Sequence, residues 1–269
     1  MSSEKKMRKL YVGTSWKMNK TVGESSDYIK NLSDFMNKNT ELINGIEVFV
    51  IPTFLAIDSA TRIVREKNSG LKIGAQDCCW EDFGPFTGEV SPMHLKDLGV
   101  SYVEIGHAER REIFMETDEM VAKKTAAIIK NNMKPILCIG EEEKPDDINI
   151  ALNFLEYQLL EGLSRIDKTD IKNVVIAYEP VWAIGAAASA PLDYLSKAMD
   201  FLRNMLNRKF GNNCGDSQDI IYGGSVTPES AKDILAIPGN DGIFVGRSAL
   251  NVDYFINMIK MASEIRKVK

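Results

Sequence analysis

One carboxylate in this chain of 269 residues stands where a general base would be most useful. Residues 171–185 read Ile-Lys-Asn-Val-Val-Ile-Ala-Tyr-Glu-Pro-Val-Trp-Ala-Ile-Gly. Val174 to Ala177 is a β-branched apolar run that suits a strand buried on both faces of a parallel sheet. Pro180 cannot donate to a sheet ladder and pushes Glu179, before it, into extended geometry, so the strand ends at the acid. Ligands of parallel α/β folds bind at that carboxyl edge, and a carboxylate held there by a rigid strand can take a proton. The apolar continuation, Val181 to Gly185, is too hydrophobic for an ordinary solvated loop and predicts a lid.

Two further polar residues follow strands. Lys17 lies in Ser15-Trp16-Lys17-Met18-Asn19, the exit of a strand over Lys9 to Thr14; by itself it reads as solvated surface. His107 follows a strand over Tyr102 to Ile105, in Gly106-His107-Ala108-Glu109-Arg110-Arg111. A lone histidine is more often a satisfied structural group, and Glu109 and Arg110 alone read as a surface pair. Gly223-Gly224-Ser225-Val226 and Gly246-Arg247-Ser248 follow the last two strands, Asp219 to Tyr222 and Gly242 to Val245. Glycines there let backbone N–H groups approach an anion closely, and a helix N-terminus adds a favourable dipole. All these residues fall at the same end of the strands, which raises the functional reading of each.

The elements that must position them alternate along the chain. Strands are predicted at 9–14, 47–51, 72–75, 102–105, 134–139, 174–177, 219–222 and 242–245. Helices are predicted at 24–38, 55–67, 117–131, 148–163 and 191–208, with a short one capped by Ser91 and ending near Gly99. Eight strand-then-helix units, without a Gly-x-Gly-x-x-Gly turn near the start, predict an α/β fold of one domain. It is a closed parallel (β/α)8 barrel over 9–269, preceded by a flexible tail over 1–8. The anion site of such a barrel is expected after strands seven and eight, where the glycines lie. The long loop Gln76 to Glu89, with Trp80, Phe83 and Phe86, predicts a subunit contact.

Composition bounds the partners. With 44% hydrophobic and 26% charged residues and a net charge of −5, the chain offers no basic field for nucleic acid or anionic membrane. The apolar runs are strand-length and the first nine residues are polar, which predicts a cytosolic protein. Cys78, Cys79, Cys138 and Cys214 show no Cys-x-x-Cys spacing and are expected as reduced thiols. With two histidines in the chain, no zinc site is expected.

Several blocks together resemble triosephosphate isomerase. They are Trp16-Lys17-Met18-Asn19, Gly74-Ala75-Gln76, Phe86-Thr87-Gly88-Glu89, Gly106-His107, Glu109-Arg110-Arg111, Cys138-Ile139-Gly140-Glu141, Tyr178 to Gly185 and Tyr222 to Val226. The resemblance covers nearly the whole chain in order and implies a TIM barrel and a cofactor-free sugar-phosphate isomerase, working through an enediolate. It implies Glu179 as base, His107 as electrophile, Lys17 as the cation beside the oxyanion and phosphate, and Glu109 as a supporting glutamate. It also implies phosphate binding by the N–H groups of Gly185, Ser225, Gly246 and Arg247. It implies a homodimer too, with the loop at Thr87 reaching the partner near Lys17. A barrel kept only for phosphate binding should have lost one of the three central residues, and none is lost.

The chain departs from the family pattern at Ser15 (asparagine in the family), Ala108 (serine) and Arg247 (glycine). After Ile184 it reads Gly-Ala-Ala-Ala-Ser-Ala instead of Gly-Thr-Gly-Lys-Thr-Ala. Gly13-Thr14-Ser15-Trp16, Asn19-Lys20-Thr21 and Gly246-Arg247-Ser248 look like the branch that isomerises erythrulose phosphates. The expected substrate is therefore L-erythrulose 1-phosphate, giving D-erythrulose 4-phosphate, with the triose phosphates as the alternative. Ser15 and Ala108 are expected to make the extra room.

Overall fold

A computed structural model describes residues 8–211 and 213–268. Eight parallel strands close on themselves in sequence order: β1 (Leu10–Ser15), β2 (Ile46–Ile51), β3 (Lys72–Ala75), β4 (Tyr102–Ile105), β5 (Lys134–Ile139), β6 (Val175–Tyr178), β7 (Asp219–Gly223) and β8 (Gly242–Val245). The helices are α1 (Val22–Lys38), α2 (Ile57–Lys67), α3 (Pro92–Asp97), α4 (Ala108–Phe114), α5 (Asp118–Lys130), α6 (Ile148–Gly162), α7 (Leu192–Phe210), α8 (Cys214–Ser217), α9 (Pro228–Ala236) and α10 (Val252–Arg266). This is the single-domain TIM barrel that the alternation predicts. Of the expected tail, residues 1–7 lie outside the described residues, and Arg8 pairs with Asp241 at 3.1 Å.

Strand alternation divides the core in two. Tyr11, Phe49, Ile51, Tyr102, Ile136, Cys138, Val175, Ala177, Ile221 and Phe244 fill the barrel, while Val12, Val50, Val103, Ile105, Leu137, Ile176 and their neighbours pack under the helices. Phe49 takes the space that Gly13 leaves, since a Cβ at 13 would stand 1.8 Å from its ring. The amino ends of the strands are closed by Tyr11 donating to Asp219 at 2.5 Å and Tyr102 to Glu47 at 3.0 Å. That leaves the carboxyl ends as the open mouth.

Sequence periodicity finds the strands to within a residue or two, while α8, α9 and α10 carry no helix range in the sequence reading and α4 escapes it for a physical reason. None of the α4 residues is buried, so it carries no apolar stripe to read. It is instead started by His107, whose side chain accepts from the Glu109 N–H. The loop after β3 is fixed at several points: Cys79 N–H donates to Val90 O at 2.8 Å, and Asn131 donates to Asp82 at 2.8 Å. Among the described residues no helix is long and apolar enough to cross a membrane.

A buried ion cluster ties that loop to the helices around the site. Lys124 of α5 donates to both oxygens of Asp77, at 2.7 and 2.9 Å, and to Glu116. Burial works against the Lys124 ammonium, but the two carboxylates outweigh it and raise its pKa. Removing this ammonium would leave two desolvated acids sharing Arg110, whose Nε lies 2.7 Å from Asp77 and 3.3 Å from Glu116. Lys124→Met should therefore destabilise the fold by about 3–5 kcal/mol, measured by urea unfolding; a loss below about 1 kcal/mol would show that Asp77 and Glu116 find other partners.

Candidate active site

Glu179 sits one residue past β6, its N–H still bonded to Ile139 O at 2.8 Å. Two glycines clear its seat. A Cβ on Gly140 would lie 1.9 Å from the Glu179 carbonyl oxygen, and one on Gly223 would lie 2.6 Å from Glu179 Cγ. The carboxylate is buried and its only described side-chain neighbours within polar contact are Cys138 Sγ at 3.8 Å and His107 Nε2 at 3.5 Å. Burial pushes its pKa up to about 7, against the pull of Lys17. A carboxylate so poised can both take and return a proton near neutral pH.

The imidazole is fixed in one tautomer. His107 Nδ1 accepts the Glu109 N–H at 3.1 Å, so the ring proton is on Nε2, facing Glu179 and the cavity. Burial, and then the charge of Lys17, push its pKa down to about 4. At neutral pH it is therefore an uncharged hydrogen-bond donor. Lys17 is held by its backbone as much as its side chain: its φ of 51° is left-handed, and Gln76 donates to its carbonyl at 2.8 Å. Its ammonium donates to Glu109 Oε1 at 2.6 Å.

Across the mouth lies the glycine edge. Gly185, Ser225, Gly246 and Arg247 line the same cavity, of about 840 Å³, as Ser15, Lys17, His107, Glu109 and Glu179. Every site residue expected from the sequence thus faces one space. The segment after Glu179 is pinned at both ends. Glu141 accepts from Trp182 at 2.9 Å and Tyr194 at 2.8 Å, and the Ala190 N–H donates to the Tyr222 hydroxyl at 3.1 Å. Between them Ser225 donates to Ala186 O at 2.9 Å.

One expectation needs revision, and one residue must be added. Ala108 does not enlarge this cavity; it lines a separate void of about 30 Å³ with Gly106, Arg111, Cys138 and Gln158. That void borders Glu179 from behind the main cavity's lining, in which Ala108 has no part. Sequence reasoning also missed Glu104, which is buried in the same cavity and accepts from Ser15 at 2.7 Å. The signal was there, since strand alternation turns Glu104 inward with Tyr102.

A closed barrel that gathers a shifted carboxylate, a neutral imidazole and an ammonium at one mouth, beside glycine-rich turns, is a proton-transfer enzyme of the isomerase class. The family model described as Triosephosphate isomerase matches residues 10–262. The triosephosphate isomerase of Finegoldia magna is 41% identical, over 94% of this chain and 98% of that protein. Those of Carboxydothermus hydrogenoformans and Fusobacterium nucleatum are 38% and 39% identical, each over 94% of this chain and 99% of theirs. The chain belongs to the triosephosphate isomerase family, and it is an intramolecular oxidoreductase.

The shifts give the pH dependence. The Glu179 carboxylate, with its pKa raised to about 7, is ionised above that value and takes up a proton as pH drops through it. His107, neutral above about 4, sets no limit there. The kcat/KM profile should show one ascending limb near pH 7; a limb near pH 4.5 would mean that Glu179 is not desolvated in solution.

Proposed function

We propose that this chain is a cofactor-free isomerase of a four-carbon ketose phosphate, converting L-erythrulose 1-phosphate to D-erythrulose 4-phosphate. The phosphate is held by the N–H groups of Gly185, Ser225, Gly246 and Arg247, and the Arg247 side chain adds charge at that edge. Glu179 takes the proton from C3. His107 Nε2–H donates to the C2 carbonyl oxygen, and Lys17, steadied by Glu109, offsets the charge that grows on the enediolate oxygens. Returning the proton to C2 moves the carbonyl to C3, and nothing is oxidised or reduced overall. The observation that carries the chemistry is the facing pair, Glu179 Oε2 and His107 Nε2 at 3.5 Å, with pKa values pushed in opposite directions.

The four-carbon substrate differs from a triose phosphate by one hydroxymethyl group, beyond the carbon that loses its proton. Phosphate grip and proton transfer are common to both. Room at the far end is supplied by Ser15, whose short side chain turns to Glu104 and leaves the space beside Lys17 open. The cavity is in the upper part of the usual range of roughly 300–1,000 Å³ for small-molecule sites. A second reading, isomerisation of dihydroxyacetone phosphate and glyceraldehyde 3-phosphate, is favoured by the names of the relatives. Measuring kcat/KM for both substrates decides between them. Turnover of glyceraldehyde 3-phosphate near roughly 10⁸–10⁹ M⁻¹s⁻¹, with the tetrulose phosphate ignored, would establish the second reading.

Glu179→Gln should fold normally and lose roughly 10²–10⁴-fold in turnover, because the amide keeps the shape and cannot take a proton. Near-normal turnover in the folded variant would remove Glu179 from the role of base.

The working unit is a homodimer in the cytosol, joined through the loop Gln76 to Glu89. Met18, beside Lys17, is 94% exposed and Phe83 of the loop 69%; such apolar side chains around the site are what a partner's loop would cover. The four cysteines are free thiols, as a reducing compartment favours. Sedimentation should show a dimer at micromolar concentration, and a stable, fully active monomer would contradict it.

A further inference from the structure

The cavity contains one acid that this chemistry leaves unused. Val103 and Ile105 pack under the helices, so alternation along β4 sends Tyr102 and Glu104 to the barrel axis. Glu104 is 4% exposed. A carboxyl at such a position is costly unless hydrogen-bonded, and an aliphatic side chain would fill the place more cheaply. Its one partner among the described residues is Ser15, donating to Oε2 at 2.7 Å across the floor from β1. Oε1 receives no hydrogen bond among the described residues and is not sealed from solvent, while the residue lines the main cavity. That oxygen is open to a ligand.

Its chemistry suits a sugar hydroxyl. Burial, and then the charge of Glu179, raise its pKa to about 8. At neutral pH it is a neutral acid, with one donor and free acceptor capacity. Its position also fits. In a closed eight-strand barrel β4 stands opposite β8, and the turn after β8 carries Gly246 and Arg247 of the anion edge. A ketose phosphate anchored there directs its other end toward β4.

We propose that Glu104, seated by Ser15, is the specificity-determining residue that hydrogen-bonds the terminal hydroxymethyl of the four-carbon ketose phosphate. The inference rests on the four-carbon reading above. A substrate that ends one carbon earlier leaves the acid facing nothing that can pair with it, and sites built to bond a hydroxyl discriminate strongly against analogues that lack it. Glu104 makes no hydrogen bond to the phosphate edge or to Glu179 among the described residues, and what it does through the charge of Glu179 falls on both substrates alike, so its bond to the terminal group is read in the ratio of the two.

The test is kcat/KM for L-erythrulose 1-phosphate and glyceraldehyde 3-phosphate in the wild type, Glu104→Leu, Glu104→Gln and Ser15→Ala, each checked by thermal melting. Glu104→Leu should lower the tetrulose-to-triose ratio by roughly 10- to 100-fold, with KM for the tetrulose phosphate rising. Glu104→Gln should keep most of the ratio, because an amide retains a donor and an acceptor. Ser15→Ala should shift the ratio the same way by less, and together these two carry the test should the leucine variant not fold. A wild type that prefers the tetrulose phosphate, with a ratio unmoved by these substitutions, overturns this inference alone. A wild type that ignores the tetrulose phosphate overturns it together with the reading on which it rests.

Discussion

Keeping water from Glu179 is the constraint on which the rest of the structure depends. The folded chain holds the proton of this acid more tightly than the unfolded chain does, so its contribution to stability is present at low pH. It is lost as pH rises toward about 7. At working pH the fold therefore carries a desolvated charge that it would be more stable without. The compensation is spread over the barrel. Gly140 leaves room for the Glu179 main chain and Gly223 for its side chain, and β5 holds its backbone. Lys17 supplies the opposing charge without contacting it, since the ammonium is engaged by Glu109.

That arrangement explains why the imidazole must be neutral. A protonated His107 at 3.5 Å would pair with Glu179 and pull its pKa back down, leaving a weaker base and no free donor. Three things prevent this: burial, the charge of Lys17, and a ring nitrogen occupied as the cap of α4. The short helix that the sequence conceals thus fixes the ring that faces Glu179. It carries no apolar face because its task is to end in a ring nitrogen and to carry Glu109.

Much of this is legible in the sequence itself. The β-branched runs are read correctly because parallel strands are buried on both faces, and Pro180 marks the end of β6 by its missing N–H. The glycines at the exits of β7 and β8 and the polar residues at the exits of β1 and β4 share one edge for topological reasons, so finding the strands finds the mouth. Long-range pairing was not legible. Ser15 and Glu104 lie on strands three apart in the barrel, and no local pattern links them. Ala108 was misplaced for a related reason: adjacency to His107 in sequence says nothing about direction when a helix starts between them.

The lid shows another consequence. Its far end is fastened by the Ala190 backbone N–H to the Tyr222 hydroxyl, and its middle by the Ala186 carbonyl to Ser225. Both contacts use the main chain of the segment, which every residue but proline supplies in full. The wording between Gly185 and Ala190 is therefore free to drift while the fastening is inherited unchanged. What those two contacts require is written elsewhere, in Tyr222 and Ser225, so this part of the segment is held by side chains that belong to its neighbours.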